Sequence, residues 1–111
     1  IPLPPDAPAN ADFCLTVSGD SMEPYIHDGD MVFVNETAEL KPMEVGVFAV
    51  DGATYVKQYA PSYDGSLYLL SANPKREAAN VRVPRDSTRS VQYFGKVLGL
   101  PKLPEPVYPW R

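Results

Sequence analysis

The sequence predicts a mainly β domain, a sandwich or barrel of short strands, on three observations. Apolar stretches are short and alternate with period two, Asp-Gly pairs punctuate them, and helical periodicity is weak. Closely spaced short strands with turn residues between them are the pattern of an all-β domain. No internal repeat is present.

Residues 1–10 carry Pro2, Pro4, Pro5 and Pro8 and read as an extended arm. Phe13–Ser18 alternates loosely, and Asp28-Gly29-Asp30 is a turn leading into the apolar run Met31–Val34. Val45–Val50 is apolar throughout; Asp51-Gly52 is a two-residue hairpin signal joining it to Ala53–Ala60. Asp64-Gly65 opens Ser66–Ser71, and Val91–Leu100 forms the last strand, broken by Gly95. A helical turn is expected at 22–27 and another at 37–41, with a polar helix or loop at 75–80. Pro101, Pro104, Pro106 and Pro109 mark residues 101–111 as a second proline-rich tail, ending in Tyr108 and Trp110.

At 111 residues the chain is one domain, able to bury roughly 60–70% of its unfolded surface without staples. A lone cysteine, Cys14, excludes an internal disulfide and fits a reducing compartment. With one Cys and one His, a structural zinc site is not expected, and no cofactor is implied. Apolar runs such as Val47–Val50 fall far short of a membrane span, and Ile1-Pro2-Leu3-Pro4-Pro5 has no basic leader region. The expectation is a soluble, cytoplasmic protein with no membrane partner. Net charge is −4, which argues against a nucleic-acid groove. Ten acids and one base (−9) precede Lys57; nine bases and four acids (+5) follow from it onward. The two halves either interleave and neutralise one another or leave opposite poles for docking.

Ser21 lies in Val17-Ser18-Gly19-Asp20-Ser21-Met22-Glu23-Pro24, and Lys57 stands 36 residues on. A serine hydroxyl is a weak nucleophile and needs a base; a lysine serves only when its surroundings strip its charge. Strand periodicity puts Tyr55, Lys57 and Tyr59 on one face, where burial would lower the amine pKa. An exposed lysine at ~10.4 is about 0.1% neutral near pH 7.4; a drop of ~3 units makes roughly half of it competent, at ~4 kcal/mol. Other serine-hydrolase patterns fail. G-x-S-x-G is broken by Glu23, and no serine has a lysine three residues later. A Ser-His-Asp triad would need His27, which reads as a solvent-facing loop residue. In isolation, Ser21 in a Gly/Asp/Ser-rich stretch also fits a plain turn former.

The string Ser18-Gly19-Asp20-Ser21-Met22-Glu23-Pro24, followed by Asp28-Gly29-Asp30, resembles the S-G-x-S-M-x-P…D-G-D signature of the LexA/phage-repressor self-cleaving serine peptidases. Tyr55-Val56-Lys57-Gln58 resembles that family's lysine-bearing strand, Leu69–Pro74 its L-x-S-x-N-P segment, and Gly95–Gly99 its G-x-V-x-G closing strand. The four matches occur in family order from Phe13 to about Leu100.

The resemblance implies a LexA/signal-peptidase-like, β-barrel-type catalytic and dimerisation domain over 11–100, flanked by the arm and the tail. It implies Ser21 as nucleophile and Lys57 as base, with Gly19, Asp20, Met22, Tyr55 and Asn73 supporting the cleft. A backbone N–H near Ser21 or Asp20 would serve the oxyanion, and Met22 would pack beneath the nucleophile or line the cleft. Implied partners are a second copy of the chain, a RecA filament that stimulates self-cleavage, and operator DNA reached only through an amino-terminal helix-turn-helix domain. That domain and the family's Ala-Gly or Cys-Gly cleavage dipeptide are both absent from the 111 residues. The chain therefore reads as an isolated catalytic domain of a LexA-like or prophage repressor. The alternatives are a UmuD-like polymerase accessory protein and a signal-peptidase-type processing enzyme.

Overall fold

A computed structural model of the chain describes residues 3–110; the first two positions of the arm and Arg111 of the tail lie outside the described residues. Seven strands form a single antiparallel sheet: β1 (Phe13–Thr16), β2 (Met31–Asn35), β3 (Val45–Val50), β4 (Ala53–Pro61), β5 (Leu67–Leu70), β6 (Val81–Val83) and β7 (Val91–Val97). Their order is β1-β2-β7-β3-β4-β5-β6, so the last strand is inserted between β2 and β3. A mainly β fold is thus what the sequence makes.

The hairpin β3–β4 turns where expected, with Asp51 and Gly52 both in the left-handed region at φ 51° and 85°. That backbone shape is the reason an Asp-Gly pair marks such turns. Elsewhere the structure departs in part from expectation. Residues 22–27 make one turn, closed by the Ile26 N–H on the Met22 carbonyl at 3.1 Å, that does not continue into helix; 37–41 hold no helical turn, and 75–79 fall in a 3₁₀ segment, Pro74–Ala79, kinked at Arg76 and capped by Asn80. β6 had no expected counterpart. Val81-Arg82-Val83 is too short to announce itself, and is a strand because it pairs with β5 at the sheet edge.

Two apolar clusters form. The larger contains Val17, Met22, Ile26, Val34, Val47 and Leu103, and the smaller is built on Phe48, Val50, Leu69 and Val81. Strand alternation along β3 turns Val45 and Val47 to the larger cluster and Phe48 and Val50 to the smaller, and the pairing of β3 with β7 shifts register between Val47 and Phe48. The shift leaves Phe94 unpaired on β7, between Tyr93 and Gly95. Gly95 sits where β7 passes from β3 to β2, and a Cβ there would lie 2.7 Å from the Asn35 carbonyl oxygen. Only glycine fits this crossing.

The proline-rich tail packs onto the domain. Leu103 and Tyr108 are buried, and Trp110 meets Tyr68 edge-on with ring centroids 5.1 Å apart. The two charge halves interleave. Ion pairs Asp20–Arg76, Glu44–Lys96 and Asp51–Arg89 each join an acid from the first half to a base from the second.

Candidate active site

Ser21 lies on the long connection between β1 and β2, and the residues around it fix that loop. Gly19 turns the chain at φ 89°, and its N–H donates to the Asp28 carboxylate at 2.7 Å. The N–H of Val17 donates to the Asp30 carbonyl and that of Gly29 to the Val17 carbonyl, each at 2.8 Å. Asp28-Gly29-Asp30 therefore makes the turn into β2 and also ties down the loop carrying Ser21. Met22 is 1% exposed in the larger cluster, so the chain is anchored in the core one residue past the serine.

Across the sheet, β4 carries Lys57 opposite Gly46 of β3. Its ammonium donates to the Ser21 hydroxyl oxygen at 2.6 Å. The side chain is 4% exposed, and burial lowers its pKa from the ordinary 10.5 to about 8. Charge is disfavoured because the amine has left water. At pH 7.4 about 20% of such a group is neutral, against under ~0.1% at the ordinary value. Tyr55 and Tyr59 alternate with Lys57 along β4 and are half-buried against the smaller cluster beside Phe48.

Asn73 closes the back of the site. Its N–H donates to the Ser21 carbonyl at 2.9 Å and its side-chain amide to the Asp20 carbonyl at 3.0 Å. Its own carbonyl oxygen Oδ1 accepts from the Lys75 N–H, which caps the 3₁₀ segment. That segment presents Arg76, whose guanidinium grips the Asp20 carboxylate through two bonds of 2.7 and 3.2 Å. The Arg76 hydrogen bond holds the Asp20 carboxyl below the usual range. The structure thus brings Ser21, Lys57, Asp20 and Asn73 together, with Gly19 and Met22 shaping the loop. Arg76 escaped sequence reasoning, since nothing local relates it to an acid 56 residues earlier.

His27 stands apart from the pair. Its Nδ1 meets the Glu23 carboxylate at 2.9 Å and its ring is exposed. That contact raises the His27 pKa.

In front of Ser21 and Lys57 runs a cleft of about 300 Å³, lined by Leu15–Ser18 on one side and Thr54–Val56 on the other. β1 and β4 are the first and fifth strands in sheet order, so the sheet must curl to bring them together. Both cleft walls have an unpaired edge. β1 pairs with β2 alone, and β4 pairs with β5 only from Gln58 onward, leaving 53–57 bound on one side to β3. No group of residues suited to hold a metal ion occurs among the described residues.

Comparison with known proteins places the chain in a family. The model of the family described as Peptidase S24-like matches residues 1–98. The chain belongs to the S24-like peptidase family. Among relatives, the LexA repressor of Myxococcus xanthus (strain DK1622) is 35% identical over 89 residues, covering 79% of this chain. Those residues make up 39% of that repressor, so the chain spans about two-fifths of the relative's length. The S24-like match stops at residue 98, short of the tail. Among the described residues no helix is long and apolar enough to cross a membrane.

Proposed function

We propose that this chain is the Ser–Lys autopeptidase and dimerisation domain of a LexA-like or prophage transcriptional repressor. On this reading RecA-stimulated self-cleavage inactivates the repressor. The observation that carries the reading is the 2.6 Å contact between the Ser21 hydroxyl and a desolvated Lys57. A neutral Lys57 amine accepts the Ser21 proton as Oγ attacks the scissile carbonyl. The resulting ammonium protonates the leaving amine, leaving an ester on Ser21. A water then attacks that ester, again giving its proton to Lys57, and Ser21 is released.

The parts around the pair suit an extended peptide. The open edges of β1 and of β4 at 53–57 can each pair with a strand laid in the cleft, so main-chain hydrogen bonds would align the scissile bond. The Ser21 N–H, which donates to no acceptor among the described residues, is a donor available to the oxyanion. Asn73 and Arg76 hold the loop so that this geometry needs little reorganisation.

Dimerisation would use β7. Residues 91–93 pair only with β3 and Phe94 with neither neighbour, and Val91, Tyr93 and Phe94 are exposed. An open edge bearing aromatic anchors is suited to a second copy. The acidic fragment would bind operator DNA only through a separate domain.

The test uses a substrate supplied in trans, a peptide carrying an Ala-Gly or Cys-Gly bond with its natural flanks. Cleavage is expected from the parent chain and is lost in Ser21→Ala and Lys57→Ala. His27→Ala cleaves normally. Wild-type rates in Lys57→Ala across pH 7 to 10 would refute the dyad.

A further inference from the structure

Residues 103–108 lie beyond the family match, yet they touch the elements carrying both members of the pair. The Pro104 carbonyl accepts from the side-chain amide of Gln58 at 2.9 Å. Gln58 immediately follows Lys57 on β4 and is 1% exposed. Four residues on, the Tyr108 hydroxyl donates to the Ser71 carbonyl and also lies 3.1 Å from Asn80 Oδ1. That same Asn80 oxygen accepts from the Ser71 N–H at 2.7 Å, so Tyr108 and Asn80 together clamp Ser71. Ser71 is fully buried and stands two residues before Asn73, whose two bonds fix the carbonyls of Ser21 and Asp20. Just before Pro104, Leu103 is sunk in the larger cluster, which also contains Met22.

We propose that the segment 103–108 is a positioning strap for the Ser21–Lys57 pair, with Tyr108 as its key residue. The strap spans β4, next to the lysine, and the 71–73 segment that holds the serine loop. It therefore sets the separation of the two elements across which the proton must pass. A main-chain hydrogen bond to Asn73 cannot hold Ser21 in place if the 71–73 segment drifts. The Tyr108 hydroxyl is what stops it at the buried end. Val107, 90% exposed between these anchors, takes no part.

This inference rests on the reading of Ser21 and Lys57 as a catalytic pair, and the test keeps the two separable. Tyr108→Phe removes one hydroxyl from the full chain. Two readouts need no activity: hydrogen exchange at the Asn73 amide, and the Lys57 titration midpoint followed by NMR. Asn73 exchange is expected to quicken about fivefold to tenfold, the scale of one hydrogen bond. The Lys57 midpoint is expected to rise from about 8 towards its ordinary 10.5 as water reaches the amine. In trans cleavage should lose kcat by a similar factor with KM nearly unchanged. Val107→Ser, the control, is expected to leave all three as in the parent. An unchanged Asn73 exchange rate or Lys57 midpoint in Tyr108→Phe would overturn the strap, as would unchanged kcat in a cleaving parent. A parent that does not cleave would sink the peptidase reading, while exchange and titration still decide the strap.

Discussion

Replacing Lys57 by Met tests the desolvation on which the proposed chemistry depends. Below pH 8 both the folded and the unfolded lysine are protonated, and the folded state bears the whole cost of keeping an ammonium 4% exposed. The distance between about 8 and 10.5 sets that cost at about 3 kcal/mol. As pH rises through 8 the folded protein releases its proton while the unfolded chain still holds one. Stability therefore increases up to pH 10.5 and levels off above it. Between pH 7 and 9.5 the gain is about 2 kcal/mol. Lys57→Met keeps the side-chain length without the charge, so it removes this dependence. Its loss of the bond to Ser21 costs about 1 kcal/mol. Net, the variant should be more stable than the parent by about 2 kcal/mol at pH 7, and the gap should close by pH 9.5. Urea unfolding at the two pH values measures both quantities. A difference that stays constant within about 0.5 kcal/mol would refute the desolvation account.

Cleavage in trans should rise with pH and level off above a midpoint near 8, because only the neutral amine accepts the Ser21 proton; a rate independent of pH from 6 to 9 would contradict this. Asn73→Ala should lower kcat about tenfold or more and cost about 1–2 kcal/mol, as two bonds to the serine loop vanish, read by kinetics and urea titration. Gly95→Ala should destabilise by about 2–3 kcal/mol, since its Cβ would strike the Asn35 carbonyl at a φ of 151°; an unchanged melting temperature would dispute the crossing geometry. Sedimentation at tens of micromolar should show a dimer that Phe94→Glu dissociates, and the chain alone should show no salt-dependent affinity for duplex DNA.

The strands were legible where turn chemistry and apolar alternation coincide. Asp51-Gly52 announces the β3–β4 hairpin because few other pairs take positive φ twice in succession. Lys57 could be placed on a strand face because Tyr55 and Tyr59 flank it at period two. What stayed hidden was set by contacts distant in sequence. β6 exists only because β5 is there to pair with. Arg76 finds Asp20 across the fold, and the tail's prolines, which read as an unpacked end, conceal Leu103 and Tyr108 as buried anchors. The single turn expected at 22–27 is present and goes no further. Met22 and Ile26, four apart and joined by that turn's hydrogen bond, both reach the core, and their packing needs no longer helix.

The place of β7 in the sheet has a consequence for the order in which the site can come into being. The β1–β2 hairpin carries the serine loop and the β3–β6 meander carries the lysine, and within the sheet these two blocks are joined solely by β7. During synthesis both blocks emerge before the strand that unites them. A nascent chain halted before Val91 would have no ladder joining the two blocks, only bonds such as those of Asn73 and Arg76 to the serine loop. The sheet brings the serine and lysine blocks into one ladder when its seventh strand docks, and that strand is the last to emerge.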